Sequence, residues 1–255
     1  MKMNRAVATG AGMLAGLLLH MKAAAQDEPN KWAPANIKID GQATEWSKPL
    51  QFYSNVTKLF YTIANDQENL YVVISVPDAQ SQTKVMRSGF TFTANASGKK
   101  KGGASVTFPI TADVNTGASD VPEASRALIA GELKKQALAN LKEIKVDGFE
   151  GVPDGNIPVH NSFGIQTAAS FESGGNLVCE LAIPLKLLGI PAGSTQPVAY
   201  RFKVNAVKRE DKKELEAKRA KGEQPPKPGE YQDNFALYYS SDFWTRQTLA
   251  THKPE

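Results

Sequence analysis

Along much of the chain apolar residues alternate with polar ones, or run in short apolar bursts that stop at turn residues. "TKLFYTIAN" and "NLYVVISV" are separated only by Asp66-Gln67-Glu68, which predicts a hairpin. "SGFTFTA" sets Phe90 and Phe92 on one face, and "ASVTFPI" does the same with Val106 and Phe108. The basic, glycine-rich "NASGKKKGG" turns between them. "SFGIQTAASF" and "LVCELAIPL" flank "ESGGN", giving another hairpin with a Gly-Gly turn. In "VAYRFKVNAVK" Val198, Tyr200, Phe202, Val204 and Ala206 face one way, and Arg201 and Lys203 the other. "NFALYYSSDFW" supplies a last strand or two. Short strands in this number predict an all-β fold, an antiparallel β-sandwich of the jelly-roll or immunoglobulin-like kind.

Two stretches break the pattern. "SDVPEASRALIAGELKKQALANLKEI" predicts one inserted α-helix at about 119–145. Asp120 caps it, Pro122 suits the first turn, and Glu123 completes a capping box. Ala130, Leu133, Ala137, Leu141 and Ile144 form a stripe that docks on the sandwich. The second stretch, 208–231, is dense in both charges and has no apolar face, so it reads as a long solvated loop. A single domain is predicted over 37–255, after a flexible lead-in at 26–36.

The first 25 residues have the layout of a signal peptide. Lys2 and Arg5 open it, 6–19 is apolar, and Ala23-Ala24-Ala25 precedes Gln26. The apolar part is shorter than the ~20 residues a membrane helix needs. The expected location is therefore secreted or periplasmic, after cleavage near Ala25, and not an integral membrane protein. The chain has 30 Lys and Arg against 26 Asp and Glu. Cleavage takes Lys2, Arg5 and Lys22 and no acid, so most of the basic excess leaves with the signal and nucleic acid is not an expected partner.

No nucleophile elbow, HExxH, P-loop or dinucleotide fingerprint is present, so a non-catalytic protein is expected. The single cysteine, Cys179, alternates with Leu177, Leu181 and Ile183 and reads as a small buried hydrophobe. Glu180 alternates outward and is expected to be exposed and inert. No cofactor is expected beyond a structural calcium ion, for which Asp154 and Asn156 in "VPDGNIPVHN" offer oxygens. His160 with Met86 would be the axial pair for haem, a weaker alternative.

"IKIDGQATEW" followed by "LFYTIANDQENLYVVISVPD" resembles the opening of family 9 carbohydrate-binding modules and their DOMON-like relatives. "GNLVCELAIPLKLLGI" resembles the closing element of that family, an acidic strand running into Ile-Pro and a Leu-rich turn. "KEIKVDGFEG" and "SSDFWTRQTLA" resemble stretches of secreted proteins from Bacteroidetes-type bacteria. The resemblance implies a β-sandwich that binds glycans or saccharide ends by clamping a ring between aromatics, in some members with structural calcium. The chain departs from that pattern where "GFTFTANASG" ends without a tryptophan. Of the three tryptophans, Trp32 falls in the lead-in and Trp46 follows the Asp40-Gly41 turn, where its ring would close the end of the sandwich. Trp244, flanked by Phe243 and Arg246, is the candidate sugar platform. The candidate carbohydrate contacts are Trp244, Arg246, Arg87 and Tyr53. The alternative is an envelope protein-interaction or scaffold module without a sugar ligand, its contacts carried by the charged loop and the inserted helix.

Overall fold

A computed structural model describes residues 29–111, 123–208 and 235–251. In chain order the elements are β1 (Lys31–Trp32), β2 (Phe52–Ser54), β3 (Leu59–Asn65), β4 (Asn69–Val76), α1 (Ala79–Ser88), β5 (Phe90–Asn95) and β6 (Ala104–Phe108). They continue with α2 (Glu123–Ala139), β7 (Glu143–Asp147), β8 (Gly155–Pro158), β9 (Gln166–Phe171), β10 (Leu177–Pro184), β11 (Val198–Val204) and β12 (Ser241–Gln247). One six-stranded sheet runs β1-β3-β4-β10-β9, with β2 paired to β3; the other runs β12-β11-β5-β6-β7-β8. All pairings are antiparallel except β1 on β3. The expected all-β sandwich is what the chain forms.

The period-two patterns decide which faces meet. Leu59 and Ile63 of β3, Val72 and Ile74 of β4, and Leu177 and Leu181 of β10 turn inward from the first sheet. They meet Phe90, Phe92, Phe108, Tyr200 and Phe202 of the second. Tyr61 of the first sheet lies 4.5 Å from Phe202 and 5.3 Å from Phe243, ring centre to ring centre, which fastens the two layers. Cys179 is buried in this core as expected, and burial pushes its thiol up and away from reactivity.

Four readings of the sequence are corrected. Helix α2 ends at Ala139, and Ile144 belongs instead to β7, where it alternates with Val146 into the core. Docking of α2 holds: Leu138 is buried, and Ala137 and Leu141 pack against the same core. The cap at Asp120 and Pro122, the side chain of Ala130, the signal peptide and loop residues 209–231 lie outside the described residues. Second, a further helix, α1, precedes β5. Asp78 caps it by accepting from the Ser81 N–H at 2.7 Å, and Val85 and Met86 are buried. Third, the lead-in from Pro29 is part of the sandwich. Lys31 and Trp32 pair with Ala64 and Asn65. Asn30 is buried, and its Nδ2 donates to Asn65 Oδ1 (3.3 Å) and the Tyr200 hydroxyl (3.2 Å). Asn65 in turn donates to the Ala250 carbonyl at 3.1 Å, so buried amides tie both ends of the domain together.

The fourth correction concerns the segment 33–50. It crosses the outer face of the first sheet and builds a second apolar layer there. Ala43, Trp46 and Leu50 cover Tyr71, Val73, Val178 and Ala182. Trp46 is only 6 % exposed, so it is a plug, but it seals a sheet face rather than the end of the sandwich. Gly41 sets the entry to this layer. Its φ is +83°, and a Cβ there would stand 2.9 Å from the Ala169 carbonyl carbon and 3.0 Å from the Ser170 nitrogen. Gly41→Ala is therefore expected to destabilise the protein by more than about 1 kcal/mol in thermal melts, because both the conformation and the backbone contact oppose a side chain.

Candidate functional site

The second apolar layer hides a carboxylate. Glu180 lies between Val178 and Ala182 on the outer face of β10 and is fully buried, contrary to the exposed position expected from its alternation. Oε1 accepts from the Trp46 indole N–H at 2.8 Å, and Oε2 accepts from the Gly41 (2.8 Å) and Asp40 (3.1 Å) N–H groups. Burial raises the Glu180 carboxyl above its ordinary range, and the three donors pull against that rise. All three partners belong to the Asp40-Gly41…Trp46 signature, so the tryptophan and the acid are one fastening. Neither reaches solvent to meet a ligand.

The outer face of the second sheet is different in kind. Strand register places its outward side chains in two rows. One row is Trp244, Arg201, Thr93, Ser105 and Asp147; the other is Asp242, Lys203, Thr91, Thr107 and Lys145. Trp244 is half-buried. Arg201 stands over its ring, with the guanidinium carbon 5.9 Å from the ring centre, and donates through Nε to Asp242 Oδ2 at 2.9 Å. Both partners of that ion pair are partly solvent-exposed, so it orders the face more than it stabilises the fold. Phe243 faces the opposite way and stacks on Phe202 at 5.2 Å, 3° from parallel. The result is a half-buried indole on a polar sheet face, with a guanidinium over its ring and a carboxylate paired to that guanidinium.

Of the four predicted contacts, the structure brings two together. Trp244 and Arg246 share the outer face of β12, and Arg246 is exposed. Tyr53 is 49 % exposed, but it stands on the outer face of the first sheet, 4.7 Å from the Phe60 ring and on the far side of the sandwich. Arg87 is exposed in the last turn of α1, off the sheet face. Arg201 and Asp242 were missed as site residues. The outward alternation of Arg201 was legible, but its pairing opposite Trp244 depends on register between strands separated by residues 205–240.

Two clefts lie elsewhere. One of about 670 Å³ runs between the Asp40–Thr44 turn, the end of α2 and β9, with a Lys48–Glu172 ion pair on its rim. The other, about 780 Å³, sits under the Pro184–Lys186 corner. Neither is lined by a tryptophan, by His160 or by Met86. Met86 faces the core from α1 while His160 is exposed after β8, so the haem pair does not share either cleft. The candidate calcium ligands are engaged otherwise. Asp154 Oδ1 accepts from the Gly148 N–H at 2.8 Å, and Asn156 Nδ2 donates to Glu143 Oε2 at 3.0 Å. Among the described residues no three His, Cys, Asp or Glu side chains converge as a metal site.

The chain matches no protein-family model and no curated protein. Among the described residues no helix is long and apolar enough to cross a membrane.

Proposed function

We propose that the protein is a secreted, non-catalytic glycan-binding module, related to family 9 carbohydrate-binding modules, whose ligand lies on the outer face of the second sheet. The observation that carries this reading is the half-buried Trp244 ring on a polar sheet face, with the Arg201–Asp242 ion pair against it. A pyranose presents C–H groups on one face and hydroxyls around its edge. The indole face turned away from Arg201 takes the C–H face, and the guanidinium and carboxylate take edge hydroxyls as donor and acceptor. Because the ion pair and the strand ladder already fix these groups, little ordering cost falls on binding. The signal-peptide layout supports an extracytoplasmic setting in which glycans are met, and the Ile-Asp-Gly…Trp opening supports the family relationship.

Calorimetric titration of the purified protein with oligosaccharides of graded length tests the reading. Saturable binding is expected, and Trp244→Ala should weaken it at least tenfold, about 1.4 kcal/mol, without unfolding the protein. Binding that survives the substitution unchanged, or no binding to any saccharide, would overturn it.

A further inference from the structure

We infer that the cleft under the Pro184–Lys186 corner is a second binding site, and that its ligand is a short unblocked peptide with an apolar side chain. The site is independent of the Trp244 face: different residues build it, and neither reading needs the other. The cleft holds about 780 Å³, inside the range of about 300–1,000 Å³ typical of ligand sites. Its lining comes from three segments at one end of the first sheet: the β3–β4 turn, the loop leading into β9, and the corner that follows β10. Each wall is braced from within. Asp66 Oδ1 accepts from the Glu68 and Asn69 N–H groups, both at 2.7 Å, and Oδ2 accepts from the Tyr71 hydroxyl at 2.7 Å, which sets the turn. Asn161 donates to the Pro158, Val159 and Ile165 carbonyls and accepts from the Phe163 N–H, which sets the loop. The Leu185 N–H donates to the Glu68 carbonyl at 2.8 Å and joins turn to corner. Little of the site is left to order on binding.

The chemistry of the lining points to the ligand. Pro184, Leu185 and Ile190 are buried behind the cleft, and half-buried Phe163 with exposed Pro191 and Ala192 offers an apolar patch. Gln67, Asn69 and Ser162 bring amides and a hydroxyl to the rim. The lining holds one acid and one base, Glu68 and Lys186, both exposed. The Leu185–Glu68 bond keeps them on one rim. Among the described residues neither side chain has a hydrogen-bond or ion-pair partner, the other included. The first cleft differs, for there Lys48 pairs with Glu172 and Lys135 with Glu132. Two open charges of opposite sign beside an apolar patch match a zwitterion better than a ligand of one sign, which one of the two would repel. A di- or tripeptide supplies an ammonium for Glu68, a carboxylate for Lys186, backbone amides for Gln67, Asn69 and Ser162, and a side chain for Phe163. A neutral sugar would leave both charges without a counter-charge.

Unblocked di- and tripeptides carrying Leu, Phe or Pro should be titrated into the protein by calorimetry, beside the same peptides acetylated at the amine or amidated at the carboxylate. At least one unblocked peptide is expected to bind saturably, and blocking either end should weaken it about two- to fivefold, the worth of one exposed ion pair. Glu68→Gln should cost the unblocked peptide the same factor and leave the acetylated one unaffected; Lys186→Gln should act in the same way toward the amidated one. Both positions are exposed, so the melting midpoint should not move. Trp244→Ala should leave peptide binding unchanged. No binding by any of the peptides, equal binding of blocked and unblocked forms, or binding indifferent to both Gln variants would overturn the inference. Loss of peptide binding in Trp244→Ala, or displacement of the peptide by an oligosaccharide, would overturn it too, because the two sites would then be one.

Discussion

Glu180→Ala is expected to lower the thermal midpoint of the protein by about 6–20 °C. The substitution leaves the Trp46, Gly41 and Asp40 N–H groups without their acceptor inside a closed apolar layer. Each buried donor stranded in this way costs about 1–3 kcal/mol, and with one of the three only partly buried the sum is about 3–5 kcal/mol. For a domain of this size each kcal/mol moves the midpoint by about 2–4 °C. Glu180→Gln keeps one acceptor oxygen but turns an amide N–H₂ toward the donors, so a smaller loss of about 1–3 kcal/mol is expected. The pH dependence has a definite sign. Burial holds the Glu180 carboxyl above its unfolded value. Such a group supports the fold fully below about pH 4.3, and its contribution fades as pH rises through the folded value. The advantage of the natural protein over Glu180→Gln should therefore shrink from about pH 4 upward and then level off. Denaturant titrations across pH 3.5–8 measure it; an advantage that grows with pH would mean that the donors outweigh burial.

Trp46→Ala is the second large loss. It removes the ring that fills the space between Leu50, Ala43 and the sheet, and with it the donor to Glu180 Oε1. Truncating a buried aromatic costs about 3–5 kcal/mol before the stranded carboxylate oxygen is counted. Trp46→Phe separates the two effects: most of the ring volume remains, and the lost hydrogen bond to a buried acid costs about 1.5–3 kcal/mol. Combined with Glu180→Ala, Trp46→Phe should be clearly less than additive, because both changes remove the Trp46–Glu180 hydrogen bond. Additivity in chemical denaturation would show that ring and acid act independently. Neither change should alter glycan affinity once the protein is folded.

These two residues mark where the sequence was and was not legible. The hairpins β3–β4, β5–β6 and β9–β10 were readable because each joins neighbouring strands through a short turn, and period-two alternation sorts their faces. Helix α1 was missed because "AQSQTKVMRS" offers only Val85 and Met86 as apolar positions, although its Asp78 cap stood in plain view. Ile144 fits both a helical stripe and a strand alternation, and only pairing with Ile157 on β8 decides between them. Glu180 does point outward from β10, as its alternation says, but a segment 134–140 residues earlier in the chain returns to cover it. Nothing local announces such a cover. At the candidate site the same rule worked the other way: Trp244 could be singled out, yet Phe243 beside it faces the core, and its true neighbours come from β11.

On the proposed function Trp244 meets the ligand and Trp46 does not. The indole N–H resonances of the three tryptophans, followed by heteronuclear NMR during titration with a bound oligosaccharide, test this directly. The Trp244 resonance is expected to move with saturation while that of Trp46, held on Glu180, stays in place. Movement of the Trp46 resonance with Trp244 unmoved would contradict it.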